Sequence, residues 1–224
     1  MTCFGADEFG ALGVNGDEAD RCERCVDHEP ERSCRDCVQG GGGDPCLDCS
    51  PAVSIRELNA RQVAVGGLIE GDGRSAHTCV LAVSARSPAE NELHCFGSAG
   101  PRLGLGALGA EPVREPRRVT GTGWSSMALA HDHGCALDAA GTLSCWGRND
   151  FGKLGLGDSD IVEGLEPRAL PGRWSSVSAG RHHACAIQLD GRVSCWGDNR
   201  FGQLGLGDVV GAAAPQPVEG VDRV

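Results

Sequence analysis

The chain contains no Tyr, a single Lys (Lys153) and 2 Met, and aromatic residues make up only 4% of its 224 residues. No run approaches the roughly 18 consecutive apolar residues that a helical membrane span requires, so no such span is predicted. Basic residues are also scarce: 20 Lys and Arg face 31 Asp and Glu, a formal net charge of −11. That balance leaves no broad basic stripe for counterion release, so nucleic acid is not expected as a direct partner. Motifs of catalysis are missing as well. There is no Gly-x-Ser-x-Gly and no His-Glu-x2-His, the Gly-Leu-Gly runs lack the Lys-[Ser/Thr] of a phosphate loop, and the acids are scattered. The chain is not expected to be an enzyme.

What is abundant is Gly, at 35 residues, and Cys, at 13. Gly at this density excludes a helix-rich chain, because Gly loses the most backbone entropy in a helix. Frequent turns are predicted instead. Cys at this frequency exceeds cytosolic habit, and its odd number needs an explanation.

Self-similarity supplies the frame. The stretch His133-Gly-Cys-Ala-Leu, Ser144-Cys-Trp-Gly, Asn149-Asp-Phe-Gly-Lys-Leu-Gly-Leu-Gly-Asp158 recurs as His183-Ala-Cys-Ala-Ile, Ser194-Cys-Trp-Gly, Asn199-Arg-Phe-Gly-Gln-Leu-Gly-Leu-Gly-Asp208, offset throughout by fifty residues. A degenerate copy runs from His77 through Cys79, Cys95-Phe-Gly97 and Leu103-Gly-Leu-Gly106. A partial one spans Thr2-Cys3-Phe-Gly5 and Phe9-Gly-Ala-Leu-Gly13. Between Cys3 and Cys95 lie about 42 residues more than one period, so a segment is inserted there.

Within a copy, Cys185 to Leu189 and Arg192 to Trp196 alternate about Asp190-Gly191, a hairpin signal. Opposed residues in such a hairpin share a constant index sum. Cys185 then faces Cys195 as Ile187 faces Val193, and Cys135 faces Cys145 as Leu137 faces Leu143. The opposed thiols, with Cys79 and Cys95 as the third pair, suit cross-strand disulfides; a reduced core of small apolar Cys is the other reading. Trp124-Ser-Ser and Trp174-Ser-Ser begin a further strand. The Pro-bearing segments at Glu166-Pro and Pro215-Gln-Pro suit an edge strand, where a missing N–H is tolerated.

This pattern resembles the repeat of the regulator of chromosome condensation family, whose repeats of about fifty residues each form a four-stranded blade of a β-propeller, usually of seven blades. The resemblance implies an all-β fold: a partial β-propeller of about four four-stranded blades, three complete with two partial ends, carrying a small Cys-rich loop insertion. The boundaries predicted are a partial blade at 1–17, the insert at 18–50, blades at 51–110, 111–160 and 161–208, and the first strand of a further blade at 209–224. The chain begins inside a blade, which leaves Cys3 without its partner and explains the odd Cys count. An open arc is expected, with edges that could self-associate or belong to a longer propeller. Because Met1 falls inside a repeat, the absence of a signal peptide says nothing about export.

The insert reads Cys22-x2-Cys25-x8-Cys34-x2-Cys37-x8-Cys46-x2-Cys49. So polar a segment needs cross-links to fold. Six thiols in three C-x2-C pairs suit three disulfides; the alternative is zinc, held by two knuckles with His28 as an extra ligand. No other cofactor is predicted. His77, His133 and His183 recur at the blade period, which points to a repeated structural hydrogen bond rather than to metal ligands. Trp146 and Trp196, like Trp124 and Trp174, recur as inter-blade packing.

The function expected is that of a non-enzymatic interaction scaffold, secreted or attached to the cell surface, binding another protein through its rim loops. Two alternatives stand beside it: guanine-nucleotide exchange on a small GTPase, as the resemblance implies, and a zinc-binding module at 22–49. The scarcity of Lys beside Arg suggests a bacterial, high-GC source.

Overall fold

A computed structural model of the chain describes residues 58–67, 76–85, 87–158 and 160–221, with the backbone of the short strands β1 (Thr2–Cys3) and β2 (Val53–Ser54). The first blade comprises β3 (Ala60–Gly66), β4 (His77–Val83), β5 (Asn91–Gly97) and β6 (Val113–Arg118). The second is β7 (Trp124–Leu129), β8 (His133–Asp138), β9 (Leu143–Arg148) and β10 (Glu163–Ala169); the third is β11 (Trp174–Ala179), β12 (His183–Gln188), β13 (Val193–Gly197) and β14 (Ala212–Pro217). Each blade is one four-stranded antiparallel sheet with its strands in chain order.

Hairpin chemistry sets the register. In the third blade Gln188 N–H donates to Arg192 O and Gly191 N–H to Gln188 O, so the loop is three residues long with Gly191 at φ 86. Only a residue tolerant of positive φ closes such a loop without strain. The pairing that follows is Cys185 with Cys195 and Ile187 with Val193, and in the second blade Cys135 with Cys145 and Leu137 with Leu143. The longer first hairpin keeps the same arrangement, with Cys79 opposite Cys95. All three Cys pairs stand at disulfide distance, their Cα atoms 4.1 Å apart.

The Trp-Ser-Ser entry to a blade has its own local logic. Each first strand carries a bulge at its start, between Trp124 and Ser126 and between Trp174 and Ser176. At the bulge the Ser125 hydroxyl donates to Leu137 O (3.1 Å) and that of Ser175 to Ile187 O (3.2 Å), so the side chain takes up a carbonyl at the irregular position.

Strand pairing moves the blade boundaries. The Pro-bearing strands β6 and β10 do not open the next blade, as the boundaries at 111 and 161 supposed; they hydrogen-bond to β5 and β9 and close the blade before. Likewise β14, read as the first strand of a further blade, pairs with β13. The physical reason is the Gly-rich turn, which reverses the chain beside the Cys-Trp strand instead of carrying it onward. As expected, the Pro residues lie on sheet edges. The same register recurs at the start of the chain: Cys3 pairs with Val53 as Cys195 pairs with Gln216. Val53–Ser54 therefore joins Thr2–Cys3 rather than the blade drawn from residue 51. The insert with Cys22, Cys25, Cys34, Cys37, Cys46 and Cys49 falls between these two strands and lies outside the described residues, as does His28.

The core lies between blades. One apolar cluster joins the first and second through Leu93, Phe96, Leu103, Met127 and Trp146; another joins the second and third through Leu143, Leu154, Trp174 and Trp196. Burying one such side chain stabilises by about 1.5–3 kcal/mol, so each junction contributes several such increments.

Candidate interaction surface at the blade junctions

Each junction is built from a turn in one blade and a Trp in the next. The indole N–H of Trp146 donates to Arg102 O (2.9 Å), and that of Trp196 to Lys153 O (2.9 Å). The glycine two residues on must be glycine. A Cβ at Gly104 would stand 2.8 Å from Trp146 Cδ1, and one at Gly155 would stand 2.7 Å from Trp196 Nε1, with φ of 66 and 72. The Gly-x-Leu-Gly turn is thus a socket for the indole of the following blade, which is why the two motifs recur together. Trp174 donates to Pro171 O (3.2 Å) and lies 6.0 Å, centroid to centroid, from Trp196; Trp124 is buried in the first junction.

The turns and loops at one end of the blades carry the polar groups. Asn149 and Asn199 fix the long β9–β10 and β13–β14 loops. Each carboxamide accepts from a Leu N–H five residues on, at Leu154 and Leu204 (both 2.9 Å), and donates to carbonyls across the loop at Asp158 and Ile161, or Asp208 and Val210. The repeated histidines sit in tight β turns, with Ala130 N–H donating to His133 O and Gly180 N–H to His183 O. A Cβ at Gly180 would come within 2.4 Å of the His183 ring. The His133 ring is fully buried, with its Nδ1 3.7 Å from Asp132 Oδ1. Among the described residues no three of His, Cys, Asp and Glu gather around a point that could hold a metal ion.

At the second junction the polar groups converge. Lys153, the chain's one lysine, is fully buried, with Nζ 2.8 Å from Asp132 Oδ1 and 3.2 Å from Asp150 Oδ2. Burial alone would raise Asp132, but its contacts with His133 and Lys153 outweigh this and hold the carboxyl well below its usual range. Burial pushes His131, His133 and His182 below their ordinary value, so these imidazoles are neutral near pH 7. Beside them Phe151, the one non-glycine residue at positive φ (65°) among the described residues, is 48% exposed. The His182 ring meets its edge at 5.4 Å, and the Arg200 guanidinium lies 4.5 Å over its face. Arg200 is gripped in turn by Asp198, Nε to Oδ1 at 2.9 Å and Nη2 to Oδ2 at 3.1 Å. Arg148 lies 3.4 Å from Asp150, and Arg181 is exposed on the neighbouring turn.

Sequence reasoning missed this cluster because its members occupy positions that vary between copies. Lys153 stands where the other blades have Arg102 and Gln203, and Asp132 where they have Ala76 and His182. The available signal was the lone lysine inside a repeated motif. The arrangement offers an aromatic face, guanidinium groups and imidazoles on rigidly held loops, which is chemistry suited to binding.

A family model described as the regulator of chromosome condensation (RCC1) repeat matches residues 140–187 and 190–224, and a second of the same description matches 174–203. Residues 140–224 thus carry regulator of chromosome condensation repeats. Solved structures agree on the fold. Prp20p of Saccharomyces cerevisiae, reported with its binding properties to Gsp1p and histones, is 19% identical with a TM-score of 0.67 over 97% of this chain. Yeast RCC1 (Prp20) bound to Kap60 is 18% identical with a TM-score of 0.67 over 97%, and human WBSCR16 is 20% identical with a TM-score of 0.62 over 96%. The chain spans less than half of each of those chains: 46%, 44% and 46%. A search of the curated proteins finds no match.

Proposed function

We propose that this chain is a non-enzymatic scaffold that binds another protein through the loops at the ends of its blades, and that it works outside the cytoplasm, secreted or at the cell surface. The observation that carries the binding reading is the second junction. There the exposed Phe151 and Arg200 ride on loops anchored by the buried Asn149 and Asn199 side chains, with exposed Arg148 at a strand end and Arg181 in a neighbouring turn, and enrichment in aromatic and Arg residues is what marks interface hot spots. The placement outside the cytoplasm rests on the three opposed Cys pairs, since an oxidising compartment is where such pairs persist as disulfides. That structural relatives are reported with protein partners is consistent with the reading.

Two measurements test it. A photo-crosslinking amino acid placed at Phe151 in the producing cell is expected to trap a discrete partner that the same group at Leu189, exposed in a hairpin loop, does not. Identical adduct patterns at both positions would overturn the binding reading. Alkylation of the native protein followed by mass spectrometry is expected to leave Cys79, Cys95, Cys135, Cys145, Cys185 and Cys195 unlabelled until a reductant is added; labelling of all six in freshly isolated protein removes the argument for export.

A further inference from the structure

We infer that the turn of the third blade from Gly202 to Leu206 is an open socket for a tryptophan side chain, presented on a β-strand by the partner protein. This inference rests on the scaffold reading and adds a second surface and the side chain it selects.

The turn is built like one that already holds an indole. In the second blade Gly152 N–H donates to Asn149 O (2.9 Å), Gly155 N–H to Gly152 O (3.0 Å) and Leu154 N–H to Asn149 Oδ1 (2.9 Å). In the third, Gly202 N–H donates to Asn199 O (2.9 Å), Gly205 N–H to Gly202 O (3.1 Å) and Leu204 N–H to Asn199 Oδ1 (2.9 Å). The paired glycines stand at φ 72 and 72 in the one turn and at 73 and 67 in the other. Only the occupant differs. Gly155 is buried against Trp196, whose N–H reaches Lys153 O. Gly205 is exposed, and a Cβ there would meet only Val218. Among the described residues nothing donates to Gln203 O, the counterpart of Lys153 O. The third turn thus holds its shape while empty, so binding does not have to order it.

The face around the socket continues the interface that the chain forms twice within itself. Cys135, Leu137, Leu143 and Leu170 are buried in the second junction. Their counterparts Cys185, Ile187, Val193 and Val218 are only half-buried. What covers such a face is visible at the two filled junctions. Strands β8 and β9 pack on the Pro101–Leu103 turn, and β13 and β14 on the Asp150–Gly152 turn, each pair bringing one Trp. An indole suits the socket because its flat ring lies over a residue without a Cβ, while its N–H, a donor only, meets the free carbonyl. The chain's four Trp are all buried, so neither a folded second copy nor another segment of this chain supplies the indole.

The test titrates isotopically labelled full chain with a peptide copying residues 133–148, closed by its own Cys135–Cys145 disulfide so that Trp146 stands on a hairpin, and follows amide NMR shifts. Saturable shifts are expected at Gln203, Leu204, Gly205 and Leu206. The Trp146→Ala peptide should not produce them, and the Trp146→Phe peptide should bind roughly fivefold more weakly, the loss of one hydrogen bond. In the chain, Gly205→Ala should weaken binding roughly tenfold, because the new Cβ takes the place of the ring. Gly207→Ala is the matched control: φ is positive there too (83°), a Cβ would meet nothing within 4 Å, and binding should be unchanged. Cooperative melting of both variants shows that they are folded. The inference is overturned if the parent chain gives no saturable shift, if the Trp146→Ala peptide binds as the parent peptide does, or if the Gly205→Ala chain binds as the parent chain does. Light scattering on the chain alone covers the other occupant: a dimer that Gly205→Ala dissociates would give the socket to a second copy and overturn the assignment to a partner. The scaffold reading fails separately, because a partner trapped at Phe151 would stand even if no peptide bound at Gly205.

Discussion

The two blade junctions solve one apolar problem alike and one polar problem differently. Both seat an indole in the turn before it, on Gly104 or Gly155. At the first junction Gln62 of β3 then bridges to β7: its Oε1 accepts from Met127 N–H (3.2 Å) and its Nε2 donates to Met127 O (3.1 Å), so one carboxamide satisfies both groups of an edge residue. By strand register the same position in the second blade is Ser126, and among the described residues no side-chain hydrogen bond reaches Val177, the counterpart of Met127. A serine is too short for that bridge. The second junction carries instead the Lys153–Asp132 pair and the Phe151, His182 and Arg200 contacts. The lesson is that apolar packing is what the repeat keeps, and the polar groups around it are where one junction becomes unlike the next.

The largest effect that would sharpen this comparison is loss of the shared part. Trp146→Ala and Trp196→Ala should each cost about 3–5 kcal/mol in urea unfolding, with similar values at the two junctions. A marked inequality would show that the sockets are not equivalent. Lys153→Met should cost about 3–5 kcal/mol, because Asp132 would keep a buried charge with its nearest cation gone, and Lys153→Met with Asp132→Leu should recover much of it. A double variant no more stable than the single one would break the account of the second junction.

Gly155→Ala should cost about 2–4 kcal/mol, from crowding of Trp196 and from positive φ together. The control is Gly205→Ala, where φ is also positive but a Cβ would meet only Val218 at 3.3 Å; there about 1–2 kcal/mol is expected, and equal costs would remove the socket argument. Gln62→Ala should lose about 1–2 kcal/mol for two partly buried hydrogen bonds, whereas Ser126→Gln should add stability by building the same bridge at the second junction.

The subtlest contrast is with pH. His131, His133 and His182 have folded values below the ordinary 6.5, so the unfolded chain binds more protons in that range. Their neutral forms contribute stability that is present above 6.5 and lost as the pH falls through it. The groups facing them are Lys153, Arg102, Arg181, Asp132 and Asp198. Asp132, held low, contributes stability that is present above 3.8 and lost in stronger acid. The melting temperature should therefore drop between pH 7 and pH 5, less steeply in Lys153→Met, where the cation next to the imidazoles is absent. A flat profile across that interval would contradict the burial of these rings.

Much of this was legible beforehand where contacts are close in sequence. The opposition of Cys185 and Cys195 follows from a three-residue loop and a two-residue side-chain period, and the paired strands keep it. So does the edge position of Pro167 and Pro215. The blade to which those strands belong was misread, because nothing local to Glu115-Pro or Glu166-Pro distinguishes closing one sheet from opening the next. The partnership of Trp196 with Lys153 O, 43 residues away, was equally invisible, and with it the reason for Gly155.

By itself, then, the sequence determined the period, the hairpins, their facing cysteines and the all-β class, since each depends on alternation and turn chemistry within about a dozen residues. Only the tertiary structure decided which strand completes which blade, where the one lysine is buried and which loops meet around Phe151. Those depend on neighbours a whole blade away, where contact is set by how one sheet packs against the next.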